Sequence, residues 1–331
     1  MQITNVLVAT NHLNALGGSE TFVYTLIEAL IKRSNIHVEY FTLHKGIVSK
    51  NIEEVLGVSY MTKPKYDVIF ANHNTTIPYL HKKGFTIQIC HGIFPVLEQP
   101  SPLANAHISI SQEVQSHLAK KGFNSLIVLN GININRFYPA KPINKTLTNV
   151  LSLCKTKEAN NVIKEACKIS GVHFVEANMH KKKTWNVEEV INEADIVVGL
   201  GRSAYEAMSC GRPVIVFDDR TYFESMGDGY IRNILGLSIQ NNCSGRYSKT
   251  TYTPALLASE MLKYKQEDGV YFKNFALKEL NIDIMVDRYI EYWKSIERAM
   301  VERKKNYWII LLKKHTTPKL RANIKRLFEK N

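Results

Sequence analysis

Residues 194–219, ADIVVGLGRSAYEAMSCGRPVIVFDD, constrain the fold more than any other stretch of the chain. Two short apolar runs, Ile196 to Gly199 and Val214 to Phe217, have the length of strands buried on both faces. Only a short helix, Ser203 to Cys210, fits between them. Strand, glycine turn, helix and strand in that order make a βαβ unit of an open parallel sheet. In such sheets ligands bind beyond the carboxyl ends of the strands, where helix N-termini offer free N–H groups to anions. Arg202 and Ser203 fall at that turn, and Glu206 lies about one helical turn behind them. A cation, free amides and a carboxylate gathered there suit a nucleotide, with phosphates at the amides and sugar hydroxyls on the carboxylate.

Two readings of this stretch compete. Gly199, Gly201 and Ala204 fit a G-x-G-x-x-A dinucleotide fingerprint, with Asp218 about twenty residues on as an NAD ribose contact. Against it stands the segment EAMSCGRPVI, residues 206–215, which resembles the E-A-M-x-x-G-x-P-V-I segment of GT-B glycosyltransferases, most closely the family 4 type. The resemblance implies that Glu206 holds the ribose of a nucleotide-sugar donor. Gly211 and Pro213 also have a plain structural reading, one ending the helix and the other opening the next strand.

At 331 residues the chain is long for one core, so two α/β domains are expected. Its 45% hydrophobic and 22% charged residues are those of a globular protein. No apolar run is long enough to span a membrane, and the N-terminus leads straight into a strand without a basic leader, so no signal peptide is expected. The five cysteines are scattered without a C-x-x-C pair and are expected to be reduced core thiols of a cytoplasmic protein. Charge is uneven: residues 294–331 carry twelve Lys/Arg against three Asp/Glu, +9 of the chain's +13.

In the first half, Asn5 to Thr10 reads as a buried strand that empties into Gly17, Gly18, Ser19 and Glu20, where Ser19 is expected to cap a helix. Gly17, Gly18 and Glu20 match the family's G-G-x-E loop, which implies a place on the interdomain cleft. Further strands at His37 to Leu43, Asp67 to Asn72, Phe85 to Cys90, His107 to Ile110 and Leu126 to Leu129 keep a βαβ rhythm. His91-Gly92 follows the strand Phe85 to Cys90 directly. The resemblance implies that His91 stands beside the donor sugar and the acceptor. The segments from Ser109 and from Asn130 resemble the family's S-x-S-x-x-V and N-G-I-x-x-x-x-F, and Tyr138 to Thr146 reads as a hinge between domains.

The second half opens with a strand at Val150 to Cys154 and departs from the family twice. Where the family carries G-R-x-x-x-x-K-G for the diphosphate, Lys155 stands for the arginine, Asn160 occupies the lysine position, and Lys157 is the cation left to compensate. The family's first donor-sugar glutamate is replaced by Val198, which leaves Arg202 to take part of its role through a bidentate guanidinium. Residues 224–229 read as a loop over the nucleotide. No His/Cys/Asp/Glu pattern has metal-ligand spacing, so neither a metal nor a cofactor is expected beyond the nucleotide-sugar as co-substrate.

The expected architecture is α/β, with two Rossmann-like domains facing across a cleft in the GT-B manner: an acceptor domain at 1–140 and a donor domain at 147–281. A crossing helix at 282–300 follows, then a basic amphipathic C-terminal helical tail at 301–331. That tail suits an anionic membrane surface at the inner face of the plasma membrane, and no nucleic-acid motif accompanies its charge. The resemblance implies retaining transfer of a sugar to a hydroxyl of a cell-surface or lipid-linked glycan. Two other classes stay open, an NAD(P)-dependent enzyme and a non-catalytic GT-B protein that binds a membrane or a partner.

Overall fold

The computed structural model describes residues 3–176, 186–220 and 225–315. It forms two compact units, residues 1–286 and residues 287–331. The first unit holds two α/β domains, each built on its own sheet.

The first domain contains β1 (Thr4–His12), α1 (Gly18–Ile31), β2 (Ile36–His44), α2 (Ile47–Glu54), β3 (Val68–Ala71), α3 (Ile77–Leu80), β4 (Phe85–Cys90), β5 (Ala106–Ser109), α4 (Gln112–Lys120) and β6 (Ser125–Ile127). Its six strands run in the order β2-β1-β3-β4-β5-β6, and every pairing is parallel. The central strands are buried on both faces, as wholly apolar runs such as Val6–Ala9 require. Ser111 caps α4 by accepting from the Val114 amide. Ser19 does not cap α1: Gly17 holds that place, and Ser19 lies within the first turn, where its hydroxyl donates to Glu20.

The second domain contains β7 (Asn149–Ser152), α5 (Lys157–Ser170), β8 (His173–Glu176), α6 (Val187–Asn192), β9 (Ile196–Gly199), α7 (Arg202–Ser209), β10 (Val214–Arg220), β11 (Ser225–Tyr230), α8 (Leu235–Ser238), α9 (Pro254–Met261) and α10 (Glu267–Glu279). The order is β11-β10-β9-β7-β8, parallel except for β11, which runs antiparallel to β10. The loop expected at 224–229 is therefore mostly an edge strand, closed onto β10 with register shifts, and Glu224 lies outside the described residues.

The segment expected to be a hinge is fastened to the second domain. Arg212, 1% exposed, donates to the carbonyls of Lys141, Asn192, Ala194 and Cys210. Asp195 accepts from the backbone amides of Asn144, Thr148 and Asn149. A buried arginine costs little when its donors are filled in this way. The chain then returns to the end of the first domain, where Ile132 exchanges backbone hydrogen bonds with Leu280 and Ile282. A Cβ on Gly131 would stand 2.6 Å from the Ile282 Cα, so only glycine permits that approach.

The last helix, α11 (Ile282–His315), passes without a break through residue 301, where the tail was expected to begin as a separate segment. The rest of the tail, residues 316–331, lies outside the described residues. No described helix is long and apolar enough to cross a membrane. The five cysteines are buried and unpaired.

Candidate functional site

In the first sheet the strand order reverses between β1 and β3, and in the second between β7 and β9. Both reversals leave a crevice at the carboxyl ends of their strands, which is where open α/β sheets bind ligands. A cleft of about 410 Å³ lies there, within the size range of small-molecule sites. The first domain contributes Gly17, Gly18, Phe22, His91, Glu98 and Asn130, and the second contributes Lys155, Arg202, Ser203, Glu206 and Arg220.

The second-domain wall is built on the turn after β9. Gly201 caps α7 with φ +55, a left-handed conformation that glycine adopts without strain. The helix then presents Arg202 and Glu206 on one face, one turn apart. Arg202 Nε donates to Glu206 Oε1 at 2.8 Å, and its Nη2 donates to Thr25 Oγ1 of the first domain at 3.0 Å. Burial raises the Glu206 pKa and lowers that of Arg202, while their mutual attraction opposes both shifts. The Ser203 amide donates to the Leu200 carbonyl at 3.2 Å, so it is not among the free N–H groups expected at this turn. Ser203 still lines the cleft.

The loop after β7 places Lys155 on the cleft with its side chain exposed. Lys157 opens α5, is exposed, and is not among the residues lining the cleft. Asn160 is tied down by Ser152 Oγ at 2.6 Å and by the carbonyls of Cys154 and Thr156. Where the family carries a lysine, this chain has a clasp on its own loop. Asp218, fully buried, accepts from the Lys155 amide, the Thr156 hydroxyl and Arg220 Nε. Its oxygens face these partners, which leaves the dinucleotide reading without its ribose contact.

On the first-domain wall, His91 Nε2 lies 3.1 Å from Asn72 Oδ1, and its ring stands edge-on to Phe22. Burial, with His73 and Arg202 nearby, depresses its pKa to about 3. The ring is thus neutral; with Nε2–H donating to Asn72, Nδ1 is left to accept from a ligand hydroxyl. Glu20 is 5% exposed and turned under the glycine loop, against Gly17, with His12 Nε2 3.6 Å away. Gly17 and Gly18 line the cleft, while Glu20 supports them from behind.

Sequence reasoning passed over Arg220, Glu98 and Arg246. Arg220 ends β10, whose carboxyl end opens on the cleft, and that position was its one available signal. Arg246 makes a bidentate pair with Glu113 across the two domains, at 2.7 and 2.5 Å, and no local motif marks it. Asn130 Oδ1, Asn242 Oδ1 and Ser244 Oγ are buried on the cleft without a hydrogen-bond partner among the described residues. Unpaired acceptors of this kind cost free energy that a hydroxyl-rich ligand would recover. Among the described residues no cluster of His, Cys, Asp or Glu has the makings of a metal site.

Comparison with solved structures settles the architecture. Anabaena HepE in complex with UDP-glucose superposes with a TM-score of 0.61 at 13% identity, covering 88% of this chain and 99% of that one. The fold is GT-B. AviGT4, a glycosyltransferase of avilamycin A biosynthesis, shares the fold at TM-score 0.56 and 12% identity, over 88% of this chain and 98% of its own. So does the UDP-GlcNAc 2-epimerase of Neisseria meningitidis bound to UDP-GlcNAc, at 0.53 and 12% identity, over 88% and 100%. No protein-family model and no curated protein matches the sequence.

Proposed function

We propose that this GT-B protein transfers a sugar from a nucleotide-sugar, a UDP-sugar in the first instance, to a hydroxyl of a cell-surface or lipid-linked glycan. The observation that carries the reading is the Arg202–Glu206 pair at the mouth of the second sheet, set among unpaired acceptors in a cleft between two Rossmann-like domains. Glu206 would take the ribose hydroxyls in place of Arg202, and Arg202 would turn to the diphosphate with Lys155 and Arg220. Cations placed at a departing diphosphate stabilise the charge that develops in the transition state, and the reading needs no metal for that step. His91 would accept a hydrogen bond near the reacting carbon. Neighbours of the same fold that bind UDP-glucose and UDP-GlcNAc support the choice of nucleotide. Residues 301–331 would hold the enzyme to an anionic membrane surface on the cytoplasmic side, where such a glycan is built.

Isomerisation of the nucleotide-sugar itself is a second reading. It is favoured by Glu98, an unpaired carboxylate that shares the first wall with a neutral histidine, since two such groups can move protons on a sugar. Incubation with UDP-glucose and UDP-GlcNAc in deuterated water separates the two. Release of UDP, accelerated by an added glycan acceptor, is the transferase result. Deuterium entering the sugar ring with UDP retained is the isomerase result and would overturn the first reading.

A further inference from the structure

The loop after β4 carries a carboxylate that neither the family resemblance nor the neighbours assign. From Cys90 the chain turns through His91 and Gly92 and makes one short turn at Val96–Glu98, where the Glu98 amide donates to the Pro95 carbonyl. This folds the Glu98 side chain back over Gly92. A Cβ on that glycine would stand 2.5 Å from Glu98 Oε2, so the bare Cα makes room for the carboxyl group. Glu98 and Gly92 both line the cleft, next to His91 and on the wall opposite Arg202 and Lys155.

We propose that Glu98 is the catalytic residue that takes the proton from the attacking hydroxyl. The proposal rests on the transferase reading above. In the step, the acceptor oxygen bonds to the anomeric carbon and its proton passes to a Glu98 oxygen, a single displacement that inverts that carbon in place of the retention the resemblance implies. The bond between that carbon and the phosphate oxygen breaks, and its electron pair leaves with the nucleoside diphosphate. The glutamate then returns its proton to solvent.

Three observations support this role. No described side chain or backbone donor occupies the Glu98 carboxylate, whereas Glu206, Glu20, Glu113 and Asp218 on or near the cleft all hold partners. Its surroundings are apolar, with Ile93, Phe94 and Pro95 on the same loop, and burial there raises its pKa to about 7, where a general base works best at neutral pH. Third, the other titratable groups around it leave that position undisturbed. Cys90 behind it is a buried thiol pushed far up by desolvation. His91 is neutral, and His117 and Lys121 are engaged by Gln99. Across the cleft Arg202 and Arg246 are held by Glu206 and Glu113.

The test uses the full chain, with UDP release from UDP-glucose and UDP-GlcNAc as the readout and water or an added oligosaccharide as acceptor. In the wild type the rate should fall about tenfold per pH unit below about 7, as Glu98 gains its proton. Glu98→Gln should lower UDP release by roughly 10²–10⁴-fold and flatten that acidic limb. Its affinity for UDP, measured by calorimetry, should match the wild type. Glu98→Asp should restore part of the rate together with the limb. A Gln variant that keeps the wild-type rate, or loses rate but keeps the limb, overturns the proposal. A wild type that binds none of UDP, GDP and ADP removes the transferase reading and the proposal with it, and this is read before any variant is made.

Discussion

The two walls of the cleft handle charge in opposite ways. The second-domain wall carries full charges already paired: Arg202 with Glu206, and Arg220 with Asp218. The first-domain wall carries Arg136, paired with Glu188, and beside it two groups held at or near neutrality. His91 has a pKa of about 3 and Glu98 one of about 7, and His73, buried behind the wall, stands at about 4 through burial and the nearby His12. A wall of paired charges can exchange an internal partner for an anionic ligand with little reorganisation, which suits a diphosphate. A neutral imidazole beside an unpaired carboxyl suits moving protons and accepting hydroxyls. On the proposed reading, one cleft would separate charge stabilisation from proton handling.

The sharpest way to break this contrast is to remove one partner from the charged wall. Arg202→Met leaves the Glu206 carboxylate buried without its hydrogen-bonded partner, and loss of one member of a buried pair costs about 3–5 kcal/mol. Denaturant unfolding should show that loss, whereas His91→Gln, on the neutral wall, should cost under about 1 kcal/mol. Equal costs would mean that the walls do not differ.

The second prediction concerns the buried histidine behind the neutral groups, and pH. His73 accepts from the Asn11 amide at Nδ1 and is 2% exposed, so it stays unprotonated when folded but titrates near 6.5 when unfolded. Between those two values the unfolded chain binds more protons, so the contribution is fully present above about pH 6.5 and is lost as pH falls towards about 4. From pH 7.5 to 5 it amounts to about 2 kcal/mol. His73→Gln should therefore lose less stability over that interval than the wild type by about this amount. Parallel pH dependences would show that the histidine is protonated in the folded protein.

Much of the fold was legible because buried parallel strands are written as apolar runs. The β1 strand, Thr4–His12, covers the apolar run Asn5 to Thr10, and β9, Ile196–Gly199, falls where its own run placed it. Antiparallel β11, SMGDGY, was not legible. Two glycines and an aspartate read as a loop, and its pairing with β10 is a tertiary effect that overrides propensity. At the site, Arg202 and Glu206 could be read because an i, i+4 pair on a helix following a glycine turn is a local pattern. Glu98 and Arg246 could not, since their meaning depends on which wall the chain brings opposite them.

The pair that joins the walls gives a smaller effect. Arg246 and Glu113 are 11% and 18% exposed at the side chain, so solvent screens part of their attraction. A double-mutant cycle with Arg246→Ala and Glu113→Ala should return a coupling of about 1 kcal/mol. A zero coupling would show that the domains do not depend on this contact. The smallest effect belongs to Lys157→Ala: the side chain is exposed at the start of α5 and away from the cleft, so UDP affinity should change by less than about 0.5 kcal/mol. A large loss would extend the charged wall beyond Lys155 and Arg220.

The most direct test of the account is a calorimetric titration of the wild type and Glu206→Ala with UDP, run beside GDP, ADP and NAD(H). The wild type should select a single nucleoside diphosphate. The variant should lose about 1.5–3 kcal/mol for each charge-assisted hydrogen bond to the ribose, a tenfold or greater fall in affinity. Equal affinity in the variant, or binding of NAD(H) alone, would contradict the placement of a nucleotide-sugar against Glu206.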